Sequence, residues 1–399
     1  MFAGLDEIDW HQLKHAYGAA DDIPGWLRSL ASQEDEIDAL TPLSLSLCHQ
    51  GTVYSASAYA APYLIELLTS EPMPGKEGLL RLLAGMAHGD AYHRQHFSLY
   101  SEARRKDPAF QRELAEEVVW VERTGEAVRR GLPVYLKLLA HADPHIRAEA
   151  AYMLAQLQAD AAAILPLLYS RLKQEDDQQA RASLLLSLGV LGEPTAAARS
   201  LLEPLLETQG EEEHALVRYA SAISLAWLFG EEMPEAAVRV LVDLLTENIP
   251  EWLFDAYVAL PWVAGRLSHV AGCTLRRRLS PERLRFALPR LFEALEIVDG
   301  YDVDEIIRTL LHVAFGHSQL PEQVTAQNLT EEQRAVLRVV AQSHAAWHTP
   351  FGVYGQTGTQ LVVGTTEYTP DPDSMMVLND DLQRLGLPYS QHDLLAFLG

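Results

Sequence analysis

Between residues 130 and 230 the hydrophobic and polar positions repeat one phrase: an amphipathic helix, a short acidic turn and a second helix. The turn and second helix read Asp143-Pro144-His145-Ile146-Arg147, then Ala150, Leu154 and Leu157. They return as Gln179-Ala180-Arg181 with Leu184, Leu188 and Leu191, and as Leu216-Val217-Arg218 with Ser221, Leu225 and Leu228. The third, seventh and tenth positions after each Arg share one helix face, so the spacing predicts a buried stripe on every second helix. Prolines mark the first helices, at Pro24, Pro62, Pro133, Pro166, Pro204 and Pro289. Proline suits a first helical turn because its missing N–H has no partner there. Pro24 to Pro62, Pro133 to Pro166 and Pro166 to Pro204 are 38, 33 and 38 apart, Pro62 to Pro133 is 71, close to two repeats, and the Arg register steps by 34 and 37, within the roughly 33–45 residue period of helical-hairpin arrays.

The pattern decays outward. Val240 to Leu245 with Trp252 to Leu260, and Leu288 to Leu295 with Asp304 to Phe315, read as degenerate repeats, as expected where terminal units must cap a core. It is interrupted at 89–130, where Asp90 to Arg105 and Pro108 to Arg130 read as longer, more polar helices able to project from the array. The expected organisation is a helical array over 1–345, clearest at 132–230, followed by a distinct segment over 346–399. In that segment Gln360-Leu361-Val362-Val363 and Thr365-Thr366-Glu367-Tyr368 flank Gly364 and predict a small hairpin or an ordered loop. Short helices near Asp380 to Leu385 and Gln391 to Leu398 close it.

The phrase Asp143-Pro144-His145-Ile146-Arg147 with Ala150-Ala151 and Leu154 resembles the HEAT repeat. The similarity is good over 132–230 and weaker over 20–70 and 235–316. The opening Trp10 to Gly18 with Ile23-Pro24, together with His49-Gln50-Gly51-Thr52-Val53-Tyr54, is similar to bacterial HEAT-like proteins without an assigned activity. The resemblance implies an all-α, right-handed α-α superhelix of the HEAT/ARM-like solenoid kind, and a habit of binding proteins. It carries over no catalytic residue. It also implies that Arg147, Arg181 and Arg218 serve stacking, bonding the acid or carbonyls of the preceding turn.

Charge narrows the partners. Lys plus Arg number 31 against 55 Asp plus Glu, a formal net charge of −24. Phosphate backbones need a basic footprint, so nucleic acid is disfavoured, and the cluster Arg276, Arg277, Arg278, Arg283, Arg285 and Arg290 reads as a solvated helix face. An acidic chain instead steers a cationic partner. No stretch of sequence approaches a membrane span, and the opening residues lack the order of a signal peptide. Cys48 and Cys273 are too few for a disulfide framework and read as reduced, buried thiols, so the expected setting is cytoplasmic.

Candidate chemistry is sparse. His88, His93 and His96 lie close in sequence beside Asp90, and His11 and His15 form an i, i+4 pair, but neither set has the Glu of a HExxH motif. They are weak metal candidates, and no cofactor is called for. Glu116-Glu117 and Glu231-Glu232 read as solvated charge, and Gly355 to Gly358 lacks the strand-to-helix setting of a phosphate loop. If the stripe after each Arg is buried, the second, fifth and ninth positions point elsewhere. That line runs through Glu149, Tyr152 and Gln156, then Ser183 and Leu186, then Ala220, Ile223 and Trp227, and continues to Trp252 and Tyr257. Its aromatic end suits a protein interface, the alternative being that these tryptophans fill core. The leading expectation is a non-enzymatic scaffold gripping a protein or peptide on its concave face, an immunity-type inhibitor of a toxin being one form of it. The alternative, an enzyme on such a scaffold of glycosylase or lyase type, is disfavoured by the charge and the absence of catalytic motifs.

Overall fold

The structure is a computed structural model that describes residues 1–32, 36–71, 73–207, 215–247, 249–263, 266–298, 302–316, 320–321, 324–348 and 376–399. Among these the fold is all-α with two very small β-hairpins near the N-terminus. The hairpin or loop expected around Gly364 lies outside the described residues. No single described helix is long and apolar enough to cross a membrane. The chain forms two compact units, one of residues 1–192 with 260–262 and one of 193–259 with 263–399. The division falls inside the stretch where the sequence repeats most clearly.

The first unit opens with β1 (Lys14–His15) and β2 (Gly18–Ala19), then α1 (Ile23–Ser32) and α2 (Glu36–Leu47), then β3 (Cys48–His49) and β4 (Thr52–Val53). Neither hairpin follows from the sequence pattern, which predicts a helical array over 1–345. β3 and β4 pair as Cys48 with Val53 and His49 with Thr52, leaving Gln50 and Gly51 as a two-residue turn. Both turn residues have positive φ, 49° and 79°. That is the turn whose twist matches paired strands, and a Gly at the second position makes it affordable. The peptide of Asp90 extends the hairpin: Val53 N–H donates to its carbonyl at 3.1 Å, and its own N–H donates to Gly51 O at 2.8 Å.

Helices α3 (Ser55–Leu68), α4 (Lys76–His88), α5 (Tyr92–Gln95), α6 (Glu102–Arg105) and α7 (Pro108–Arg129) follow. The first helix expected in the interruption is broken into the short α5, a 3₁₀ turn and α6, whereas the second is the 22-residue α7. Instead of projecting, α7 lies along α3 and α4. Asp107 caps it, accepting from Ala109 N–H at 2.8 Å, and Pro108 takes its first position.

Two helical hairpins complete the unit, α8 (Leu132–Leu138) with α9 (Pro144–Ala155) and α10 (Ala161–Leu172) with α11 (Gln178–Leu191). Asp143 and Asp177 cap the second helices, each accepting a backbone N–H at 2.9 Å. Arg147 links the hairpins. Its guanidinium reaches both oxygens of Glu175, at 2.7 and 2.6 Å, and the carbonyls of His141 and Ala142, each at 2.9 Å. The carbonyls belong to the preceding turn and the acid to the following one.

α9 and α11 then pack at close range through alanine and serine. Ser183 Oγ donates to Ala148 O at 2.6 Å and Ser187 Oγ to Ala151 O at 2.8 Å, both buried. Small side chains bring the backbones close enough for a hydroxyl to satisfy a carbonyl on the facing helix. α9 is consequently buried nearly all round.

The second unit contains α12 (Ala196–Leu202), α13 (Ala215–Phe229), α14 (Glu235–Thr246), α15 (Glu251–Val258) and α16 (Leu267–Arg278). It continues with α17 (Pro281–Leu284), α18 (Leu288–Ile297), α19 (Asp302–Phe315), α20 (Glu331–Gln342), α21 (His344–His348), α22 (Met376–Leu385) and α23 (Gln391–Leu398). α13, α14, α16 and α19 pack together to make its core. Glu231, read from the sequence as solvated charge, accepts from Ser280 N–H at 2.8 Å and Ser280 Oγ at 2.7 Å, fixing the start of α17.

Candidate functional site

The line of positions expected on an open inner face is mostly core. Glu149, Ser183, Leu186, Ala220, Ile223 and Tyr257 are buried, Tyr152, Gln156 and Trp227 are half-buried, and only Trp252 is exposed. More than one stripe of each second helix is covered: α11 presents Ser183 to α9 in the Ala–Ser contact, Arg81 of α4 covers Glu149, and α13 packs on α14, α15 and α16. Tyr152 meets Trp262 edge-on, with ring centroids 4.9 Å apart, and the Trp262 indole N–H donates to Ser183 Oγ at 2.8 Å. Glu149 pairs with Arg81, yet burial outweighs that pairing and pushes its carboxyl up to about 7. Its Oε2 has no hydrogen-bond partner among the described residues.

Of the stacking arginines, Arg147 is buried against Glu175, and Arg218 lies 3.8 Å from Asp243. Arg181 is half-buried, and its Nε has no hydrogen-bond partner among the described residues. Of the six arginines read as a solvated helix face, Arg277 and Arg278 are exposed, and the other four enter ion pairs or a backbone bond: Arg290 on Asp243 and Glu247, Arg285 on Glu332, Arg276 on Glu305, and Arg283 on the Met233 carbonyl.

Four of the five histidines singled out in the sequence are held by protein groups. His93 Nδ1 bonds Glu117 at 2.6 Å, so Glu117 is a buried partner rather than solvated charge. His96 Nδ1 bonds the Tyr92 carbonyl at 2.9 Å, and His88 is exposed. His11 and His15 pair with Asp21 and Asp22.

An open groove does occur in the first unit. It has a volume of about 310 Å³ and lies between the β1–β2 hairpin, the start of α3 and the middle of α7. Lys14 N–H donates to Ser55 Oγ at 2.8 Å, which pins the hairpin to the α3 N-terminus. Tyr59, 41 % exposed, and the half-buried Trp120 supply aromatic walls, and Lys14, Glu116 and Arg123 a charged rim. Nearby, Tyr17 stands 64 % exposed on the β1–β2 turn, its hydroxyl 3.3 Å from His49 Nδ1. Sequence reasoning missed this groove because its two walls are 61 residues apart and α7 was read as a projection.

The second unit holds another group. His269, Cys273 and Glu305 place donor atoms within 4.8 Å of one another. Glu305 Oε1 is bonded to His269 Nδ1 at 2.7 Å, and the Arg276 guanidinium lies on Glu305 Oε2 at 2.8 Å. That leaves His269 Nε2 and the Cys273 sulfur as donors beside a resident cation, fewer than the three or four ligands of a zinc site.

No family model matches the chain, and no curated protein matches it. Among solved structures it is similar to a crystal structure of an engineered protein, at 20% identity and a TM-score of 0.32, covering 80% of this chain and 88% of that one.

Proposed function

We propose that this chain is a protein-binding scaffold whose N-terminal groove receives a segment of a protein partner. The observation that carries the reading is the groove itself: accessible aromatic walls, Tyr59 and Trp120, ringed by Lys14, Glu116 and Arg123. Aromatic anchors inside a polar rim are the recurrent make-up of protein interfaces. At about 310 Å³ the groove takes a few side chains, not a large cofactor. The formal charge of −24 favours a basic partner, drawn in by long-range attraction. A basic toxin domain neutralised by an immunity-type protein is one partner of that description.

The test is capture of partners from cells of the source organism on the full chain and on a Tyr59→Ala, Trp120→Ala variant. Both aromatics sit at the groove wall, so the variant is expected to keep its melting temperature within a few degrees. Removing two interface anchors is expected to weaken capture of a basic protein at least about 10-fold. Equal recovery by both forms, or no protein recovered by either, contradicts the reading.

A further inference from the structure

Cys273 differs from the other thiol of the chain in what surrounds it. Cys48 is half-buried like Cys273, but desolvation pushes its thiol up to about 11, where it is inert. Cys273 is half-exposed in the middle of α16, one turn beyond the exposed His269. Its Sγ lies 3.7 Å from His269 Nε2 and 3.9 Å from Nδ1, and Arg276 Nη2 points at it from 3.5 Å. Behind the pair, the buried Glu305 of α19 accepts from both cations, at 2.7 Å from His269 Nδ1 and 2.8 Å from Arg276 Nη2. Thr309 Oγ1 holds the other guanidinium nitrogen at 3.1 Å. Gly272 makes the approach of the two helices possible: a Cβ there would sit 2.7 Å from Glu305 Oε2 and 2.9 Å from Arg276 Nη1.

We propose that Cys273 is a peroxide-reactive thiolate, held by His269, Arg276 and Glu305 for oxidation to the sulfenic acid. A thiol beside two cations is stabilised as its thiolate, the form that attacks electrophiles. Glu305 orients His269 and keeps it charged; the hydrogen bonds to Cys273 and Glu305 raise the imidazole to about 10 and lower the thiol. The placement also selects the electrophile. Mid-helix, the N–H groups around Cys273 are engaged in the helix ladder, so an acyl substrate would find no pair of backbone donors for its oxyanion. A peroxide needs only a proton donor next to the sulfur, and His269 is one. The thiolate attacks one peroxide oxygen, the S–O bond forms as the O–O bond breaks, and the departing hydroxide takes the His269 proton to leave as water. Sulfur loses two electrons and the peroxide gains them. The products are the sulfenic acid, water and neutral imidazole.

The test treats the full chain with hydrogen peroxide at pH 6, traps sulfenic acid with dimedone, and reads both cysteine peptides by mass spectrometry. At this pH an ordinary thiol is only about 0.3 % thiolate. Cys273 is expected to label at least about 10-fold faster than Cys48 and than glutathione under the same conditions. His269→Gln, at an exposed position, is expected to lower that rate about 10-fold with an unchanged melting temperature. Labelling of wild-type Cys273 no faster than glutathione overturns the proposal, as does a His269→Gln variant that reacts at the wild-type rate.

Discussion

Arg147 and Glu149 lie two residues apart on α9 and show opposite outcomes for a buried charge. Arg147 finds two carboxylate oxygens and two carbonyls, and despite burial its partner Glu175 is held below the usual carboxylate range by Arg147 and Arg171. Breaking a buried pair from one side leaves an uncompensated charge, so Arg147→Ala is expected to cost about 3 kcal/mol or more, read as a lowered denaturant midpoint. A loss below about 1 kcal/mol would show that Arg171 alone satisfies Glu175. Glu149 is the poorly satisfied case: Arg81 engages one oxygen and the other is buried without a partner among the described residues. Burial raises its carboxyl from 4.5 to about 7, so the folded state holds the proton more tightly than the unfolded chain. Its contribution is therefore most favourable below about pH 4.5 and is lost as the pH rises to about 7. Glu149→Gln is expected to match the parent near pH 4 and to exceed it by on the order of 1–3 kcal/mol at pH 8. A difference independent of pH contradicts this account.

The contact of α9 with α11 is the element that most changes the picture drawn from sequence. The caps, the leucine stripe and the role of Arg147 in these helices were legible, because each is a local pattern within about ten residues, whereas Arg181 makes no matching bond from its Nε among the described residues. The second buried face was not. It is written in Ala148, Ala151, Ser183 and Ser187, residues whose small size is informative only once the facing helix is known. If close approach is what these residues provide, Ala151→Leu should overpack the contact and destabilise by about 1–3 kcal/mol, seen in thermal melts. A neutral Ala151→Leu would place slack between the helices. The same limit of local pattern hid the functional candidates. His269 and Cys273 are an i, i+4 pair readable in the sequence, but Glu305 joins them from 32 residues further on. The turn Gln50-Gly51 is a readable hairpin signal, passed over among helical neighbours.

For the molecule as a whole, net charge and the N-terminal groove answer different questions. For the basic partner proposed above, a charge of −24 would set how fast it arrives and how strongly salt slows it, but charge alone chooses no site. The groove, with Tyr59, Trp120 and their charged rim, is where contact would be made. The most direct measurement is amide hydrogen exchange of the full chain, alone and saturated with the captured partner. The account expects slowed exchange concentrated in residues 12–14, 55–59 and 116–123, the three segments that line the groove. Protection confined to other segments, with these three exchanging at their unbound rates, would contradict it.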